Sequence, residues 1–346
     1  MDKTETEIRL TVGDVETLVL DVLGANGFSR AQAEAIARTM VPAETDESRS
    51  HGVYRLIGYV RSVKAGKADG KAEPVVTSLS PSIVRVDGRR GFAPLAAERG
   101  RPLLLDAARA QGMGALVINT VLHNSALWAD LEPIVEAGFA AIAMTAGQSA
   151  VAPHGGSKPV FGTDPFAFGW PRPGKHPFIF DFATSAIARG EIELHRRAGK
   201  PIPLGWAVDT EGNPTTDADA ALAGAMLPFG GYKGTALALM VELMAGPMIN
   251  DLISSEAAAA DGGAGSAPLG GELILVFDPE RFSAGTATAN RERAEQLFAA
   301  ITGQAGARLP GDRRYAARRR SEREGILVPR ALHAELLALA GQAETR

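Results

Sequence analysis

The sequence predicts an α/β fold in which a sheet-built core lies between helical ends. Three observations predict it. Apolar runs too short for helices recur through the middle of the chain, at 115–118, 139–144, 178–180 and 273–277, unbroken in the way of strands covered on both faces. Segments of helical periodicity, 101–111 and 131–137, alternate with the first of these runs. The two ends of the chain carry the 3.6-residue pattern instead.

In order, Val15, Leu18, Val19, Val22 and Leu23 recur at helical spacing in the stretch from residue 11, Gly27 interrupts, and 30–40 resumes the pattern, so two helices joined by a turn are expected. A third helix is predicted over 53–65. It starts just after Ser50-His51-Gly52, which places those residues where free backbone N–H groups favour anions. Short β-type runs fall between 75 and 86, and further helices are predicted at 235–244, 286–300 and 329–340. The Ala-, Gly- and Ser-rich stretch 254–271 reads as a flexible surface loop. The expected division is an N-terminal helical unit over 1–75, joined by a C-terminal helical segment over 295–346, around an α/β unit over 76–294.

With 346 residues, 45% hydrophobic and 22% charged, the chain can bury a large core. A net charge of −4 argues against non-specific nucleic-acid binding and leaves a small anionic ligand as the better expectation. The absence of cysteine removes disulfides, thiolate nucleophiles and Cys-type metal sites. No histidine pair has zinc-like spacing, so no metal is expected. No apolar run approaches the length of a membrane span, and Met1-Asp2-Lys3-Thr4-Glu5 lacks the character of a signal peptide, so a soluble cytoplasmic protein is expected. The usual dinucleotide fingerprint is missing: Gly112-Met113-Gly114 has no third glycine and precedes a strand. In Gly230-Gly231-Tyr232-Lys233-Gly234-Thr235 the lysine and hydroxyl are not adjacent, as a phosphate loop requires.

Glycine, proline and small polar groups concentrate between 153 and 234, the composition of backbone shaped around a ligand. Ser50, His51 and Arg55 offer a hydroxyl, an imidazole and, four residues on, a guanidinium. They read either as a proton donor with a fork for a substrate carboxylate or as a helix start with a surface arginine. The stretch 123–128 follows a strand end, where ligand loops lie in α/β proteins, or is a turn with Trp128 packed beneath it. Asp181-Phe182-Ala183-Thr184-Ser185 ends a buried strand, with helix capping and cofactor binding as competing explanations.

Ser50-His51-Gly52 with Arg55, Pro153-His154-Gly155-Gly156, Gly162-Thr163-Asp164-Pro165, Asp181 to Ser185, the stretch 202–209 and Pro228-Phe229-Gly230-Gly231-Tyr232-Lys233-Gly234 occur together and in one order. This set resembles the malate/L-lactate dehydrogenase family over essentially its whole length. Within it, 126–133, 227–234 and Leu309-Pro310-Gly311-Asp312-Arg313-Arg314-Tyr315 resemble the Δ1-piperideine-2-carboxylate/Δ1-pyrroline-2-carboxylate reductases, the cyclic ketimine branch. That branch carries an aspartate at the position of Glu191, after Ala-His-Gly, where the hydroxyacid dehydrogenases often carry lysine after Ala-Arg-Gly, so the acid here is present but longer. This chain has Ala188-Arg189-Gly190-Glu191.

The resemblance implies a non-Rossmann nicotinamide-binding core with a large mixed sheet, and a homodimer. It implies reduction of a cyclic imino acid, with a 2-hydroxyacid dehydrogenase as the alternative and a non-catalytic dinucleotide-binding protein behind both. Ser50, His51 and Glu191 match its proton relay, and Arg55 and Thr163 its substrate contacts. His123, Asn124, Ser125, Ala126, Leu127, Ala183, Thr184, Ser185, Tyr232, Lys233, Arg308, Gly311, Asp312, Arg313 and Arg314 match its cofactor contacts. A carboxylate at 191 near His51 would keep the imidazole protonated, as a donor to an imine nitrogen requires. NADPH is expected over NADH, with Arg313 and Arg314 fixed by the 309–311 turn and Arg318, Arg319 and Arg320 left as a solvated basic tail.

Overall fold

The computed structural model describes residues 7–342; the outermost residues of the expected N- and C-terminal units, including the start tested for a signal peptide, lie outside the described residues. Seven strands form one mixed sheet in the order Val75–Ser80, Ile83–Asp87, Met113–Leu122, Leu269–Phe277, Ala140–Thr145, Phe166–Trp170, Phe178–Phe182. Ile83–Asp87 and Met113–Leu122 run parallel, with Ile83 opposite Ala115, and the helix Ala93–Gln111 makes the crossover that parallel pairing demands. Every other neighbouring pair is antiparallel.

The unbroken apolar runs have the expected cause, since the sheet centre is covered twice. On one face, Leu104, Leu131 and Ile134 from the helices Ala93–Gln111 and Leu127–Glu136 pack on Leu116, Ile118, Ile274 and Val276. On the other, Val241 and Ala245 of the helix Tyr232–Ala245 meet Val117, Met144 and Leu273. Alternate residues of one strand therefore enter different cores.

At the helical end, Thr11 and Asp14 form a reciprocal capping box that starts the helix Val12–Ala25. This helix buries Val15, Leu18, Val19, Val22 and Leu23 against the helix Arg30–Thr45 and, from the other end of the chain, Val328 and Leu336. The strand Glu7–Leu10 pairs antiparallel with Ile326–Pro329, tying the two ends together.

Three expectations are corrected. The 254–271 stretch is not a loop: Ser254–Asp261 is a helix and a sheet strand begins at Leu269. Its alanines are strong helix formers, and Glu256 accepts from the Ile253 amide at 3.0 Å to start the helix. The helix expected over 53–65 begins two residues later, at Arg55, and Arg49–His51 before it is a separate 3-10 turn. Arg318 and Arg320 are not a solvated tail either. They lie on the helix Asp312–Glu324, where Arg318 makes paired bonds to Asp46 at 2.8 Å and to Glu132 at 3.0 Å, and Arg320 pairs with Glu47.

Arg318 thus joins the C-terminal segment to the end of the helix Arg30–Thr45 and to the helix Leu127–Glu136, over an Asp46 side chain with no exposure. Arg318→Ala leaves Asp46 with Arg314 alone at 3.3 Å, and breaking a pair of this kind costs about 3 kcal/mol. Urea denaturation is expected to show a loss of about that size, and an unchanged midpoint would mean that the network contributes nothing.

Candidate active site

The 3-10 turn Arg49–His51 and the start of the next helix face the ends of the sheet strands across a cavity of about 1340 Å³. That volume exceeds what a single small acid fills. The far wall is the helix Arg189–Arg197, whose first turn lies against Ser50, Tyr54 and Arg55. Only glycine permits this approach: a Cβ at Gly190 would run into Tyr54 Oη and lie 2.9 Å from Arg55 Nη2.

Arg55 is held from two sides. Its Nε donates to the Ser50 carbonyl at 2.7 Å, and its guanidinium lies over the Tyr54 ring at 4.8 Å. The terminal nitrogens remain for a planar anion. His51 Nδ1 is 3.1 Å from the Asn124 carbonyl, which can only accept, so Nδ1 carries the hydrogen and Nε2 is the exchangeable position. Burial in the cavity wall, then the charge of Arg55, push the imidazole down to about 4, and the Asn124 contact only partly offsets them. His51 is therefore neutral in the open site near pH 7.

Glu191 does not supply the expected compensation. Its carboxylate lies 3.9 Å from His195 Nδ1 and is not among the groups that act on His51. One turn of helix separates the two, so Glu191 pairs along its own helix. The acid of this helix that lines the cavity is Glu193, which is held by Arg196 at 2.6 Å.

Of the other expected contacts, Ser50, Arg55, Thr163, Asn124, Ser125, Leu127, Ala183 and Ser185 line the cavity. Thr184 is buried behind it, where its amide and hydroxyl both donate to the Thr163 carbonyl, at 2.8 and 3.1 Å. Tyr232 and Lys233 are exposed beyond it, on the segment whose Phe229 amide bonds the Thr184 carbonyl at 3.0 Å. Ala126 is buried in the core. Arg308, Asp312 and Arg313 are exposed and Gly311 half-buried in a turn lying outside the cavity wall, where Tyr315 Oη donates to the Pro177 carbonyl at 2.9 Å. Arg314 faces inward, 4.4 Å over the Trp128 ring with Nε 3.3 Å from Asp46. Asp181 caps the helix Leu127–Glu136, accepting from the Trp128 amide at 3.1 Å while lining the cavity, and burial raises it to about 6.

His123 is set back from the cavity, buried with two acids that sequence reasoning missed. Its Nε2 is 3.4 Å from Glu272 and 3.9 Å from Asp130, and the three side chains bring potential ligand atoms within 4.8 Å of one another. Burial works against charge on His123, but Glu272 and then Asp130 outweigh it and raise the imidazole. Burial and the charge of Glu272 raise Asp130 well above the carboxylate range. The arrangement is self-consistent as an imidazolium donating to Glu272 beside a protonated Asp130. The signal was present in the sequence as an aspartate inside the apolar run Leu127-Trp128-Ala129-Asp130-Leu131 and a glutamate heading a buried strand.

A deep cavity joining a neutral imidazole to a pinned guanidinium, behind a mixed sheet with no dinucleotide fingerprint, defines an enzyme for a small anionic substrate with room for a larger second ligand. Residues 10–337 match the family model described as malate/L-lactate dehydrogenase, and the chain belongs to that family. It is 54% identical over 332 residues to the Δ1-pyrroline-2-carboxylate/Δ1-piperideine-2-carboxylate reductase of Pseudomonas aeruginosa, covering 96% of this chain and 99% of that one. It is 56% identical over 332 residues to the Δ1-pyrroline-2-carboxylate reductase of Ancylobacter novellus, covering 96% and 97%. The crystal structure of Δ1-piperideine-2-carboxylate reductase from Pseudomonas syringae pv. tomato superposes with a TM-score of 0.89 at 40% identity, covering 96% of this chain and 99% of that one.

Because Arg55 is the charge that most disfavours protonation of His51, Arg55→Gln should move the His51 titration upward from about 4. Imidazole NMR of the free enzyme reads this directly. A titration that stays in place would show that burial alone sets it.

Proposed function

We propose that the protein is a nicotinamide-dependent reductase of cyclic ketimines, converting Δ1-pyrroline-2-carboxylate or Δ1-piperideine-2-carboxylate to the cyclic amino acid. The observation that carries this reading is the pairing of His51 with Arg55 across one cavity, together with identities of 50–56% to several reductases of that name. The bound cofactor supplies hydride to the imine carbon. The protein's part is to hold the carboxylate and manage the proton. Arg55, fixed by Ser50, presents its free nitrogens to the substrate carboxylate, and a carboxylate placed there offsets the charge that, after burial, most disfavours protonation of His51. His51 then takes up a proton at Nε2 as the anion binds and delivers it to the ring nitrogen.

A neutral His51 also suits the opposite task, accepting a proton from a 2-hydroxyacid, and that observation gives the hydroxyacid dehydrogenase reading its support. Steady-state rates with both cyclic ketimines, pyruvate and oxaloacetate separate the two. The ketimines should lead in kcat/KM by about tenfold or more, equivalent to about 1.4 kcal/mol of transition-state stabilisation. Faster reduction of either keto acid would overturn the assignment.

Residues of the cavity wall suit a nicotinamide cofactor: Asn124, Ser125 and Ser185 offer polar contacts, and Ala183 and Leu127 apolar ones. NADPH is the proposed cofactor, with NADH as the alternative. Since Arg314 is committed to Asp46 and Trp128, the exposed Arg313 is the guanidinium assigned to the 2′-phosphate. Arg313→Ala should weaken NADPH roughly tenfold while leaving NADH nearly unchanged, by fluorescence titration. Equal weakening of both would remove Arg313 from this role. A homodimer is also proposed. Leu239, Leu243 and Met248 form an exposed apolar face on and just beyond the helix Tyr232–Ala245, the kind of surface a second copy covers.

A further inference from the structure

Gly162-Thr163-Asp164-Pro165 forms part of the cavity wall, yet only Thr163 and Pro165 line it. Asp164 turns away and has no exposure. Its backbone is left-handed, with φ of 39°, a conformation a non-glycine residue keeps only where its surroundings enforce it. Gly162 allows the approach, because a Cβ there would lie 2.5 Å from Asp164 Oδ1 and 2.8 Å from Gly147 Cα.

What enforces it is visible in the bonds. Asp164 Oδ1 accepts from the Gly147 amide and from Ser254 Oγ, each at 3.2 Å. The Ser254 amide donates to Glu242 Oε2 at 3.0 Å, and the Ser254 carbonyl accepts from the Ser149 amide at 3.1 Å. One oxygen of each acid, Asp164 Oδ2 and Glu242 Oε1, is buried with no donor among the described residues, although Ser254 bonds the other oxygen of both. Ionised carboxylates only accept, so a proton on Asp164 gives its free oxygen a hydrogen to donate. Burial and the charge of Glu242 raise Asp164 well above the carboxylate range, in agreement with the geometry.

We propose that Asp164, through its bonds to the Gly147 amide and the Ser254 hydroxyl, is a positioning residue that holds the Gly147–Ala150 wall against the helices behind it and thereby presents Thr163 to the substrate. It acts through its neighbours and touches no reacting atom. The expectation that Thr163 contacts substrate rests on the reading above. The positioning itself requires only that the cavity bind a small carboxylate.

Two variants test it. Asparagine tolerates the left-handed backbone, keeps an oxygen for Gly147 and Ser254, and carries N–H hydrogens where the protonated acid has its O–H; leucine keeps the approximate volume and loses every bond. Asp164→Leu should raise KM tenfold or more for the best carboxylate substrate, with a smaller change in kcat, and Asp164→Asn should hold KM within about threefold. Infrared difference spectra between the wild type and Asp164→Asn at neutral pH should show loss of one protonated carboxyl band, and that measurement decides alone if the leucine variant does not fold. Equal KM values for the two variants, or no protonated band lost, would overturn the proposal. KM is read with whichever of the cyclic ketimines or keto acids the wild type reduces best. A keto-acid preference would therefore sink the ketimine reading while leaving the asparagine-leucine contrast intact.

Discussion

One guanidinium organises the site. Arg55 is anchored by the Ser50 carbonyl, lies over Tyr54, and reaches the helix Arg189–Arg197 only because residue 190 has no side chain. Its charge is also the largest Coulombic influence on His51. Binding and proton transfer are therefore not separate devices. An anion arriving at Arg55 changes the proton affinity of the neighbouring imidazole, in a wall dry enough for that charge to be felt.

Behind this wall the structure meets one problem twice. A cavity cut into a sheet core needs polar groups near its lining, and burying them is costly. At His123 an imidazole lies between Glu272 and Asp130, and at Asp164 two buried carboxyls are bridged by Ser254. Both clusters sit directly behind residues that line the cavity, Asn124 and Ser125 in one case and Thr163 in the other. A third, Asp46 with Arg314 and Arg318, ties the helical segments together at their junction with the core. In each, a buried charge is tolerated because its partner is fixed by an element distant in sequence.

That distance explains what the sequence could and could not disclose. The helix Val12–Ala25 was legible to the residue, because its burial follows a 3.6 period, and the doubly covered strands because their runs are unbroken. The helix Asp312–Glu324 was invisible: nine of its thirteen residues are charged, and it buries mainly Tyr315 and Ala317. Its stability comes from ion pairs that no local pattern displays. Around the site, Ser50, His51 and Arg55 are close in sequence, so their shared chemistry could be weighed directly. Tyr54 and Gly190, 136 positions apart, meet only in the fold. Glu191, assigned to His51 by motif, lies 3.9 Å from His195 Nδ1 in the open site, a placement that its own helix sets and the motif does not display.

The place of Glu191 beside His195 in the open site bears on where substrate selection resides. An acid beside His51 would have favoured its protonated form in the free enzyme, and with it imine reduction. Without that acid the open site holds a neutral imidazole, and the same histidine can serve as base for an alcohol or, once an anion sits on Arg55, as acid for an imine. Because the carboxylate is common to both substrate classes, its effect on His51 is common too. Discrimination between C=N and C=O therefore has to arise from what faces the ring rather than from His51. The shape of the cavity beside Thr163 and the charge of the acids lining it, Asp181, Glu193, Asp219 and Asp261, are the features that differ in consequence for a cationic imine and a neutral ketone. Asp181, raised to about 6, is predominantly ionised above that pH and favours the cation.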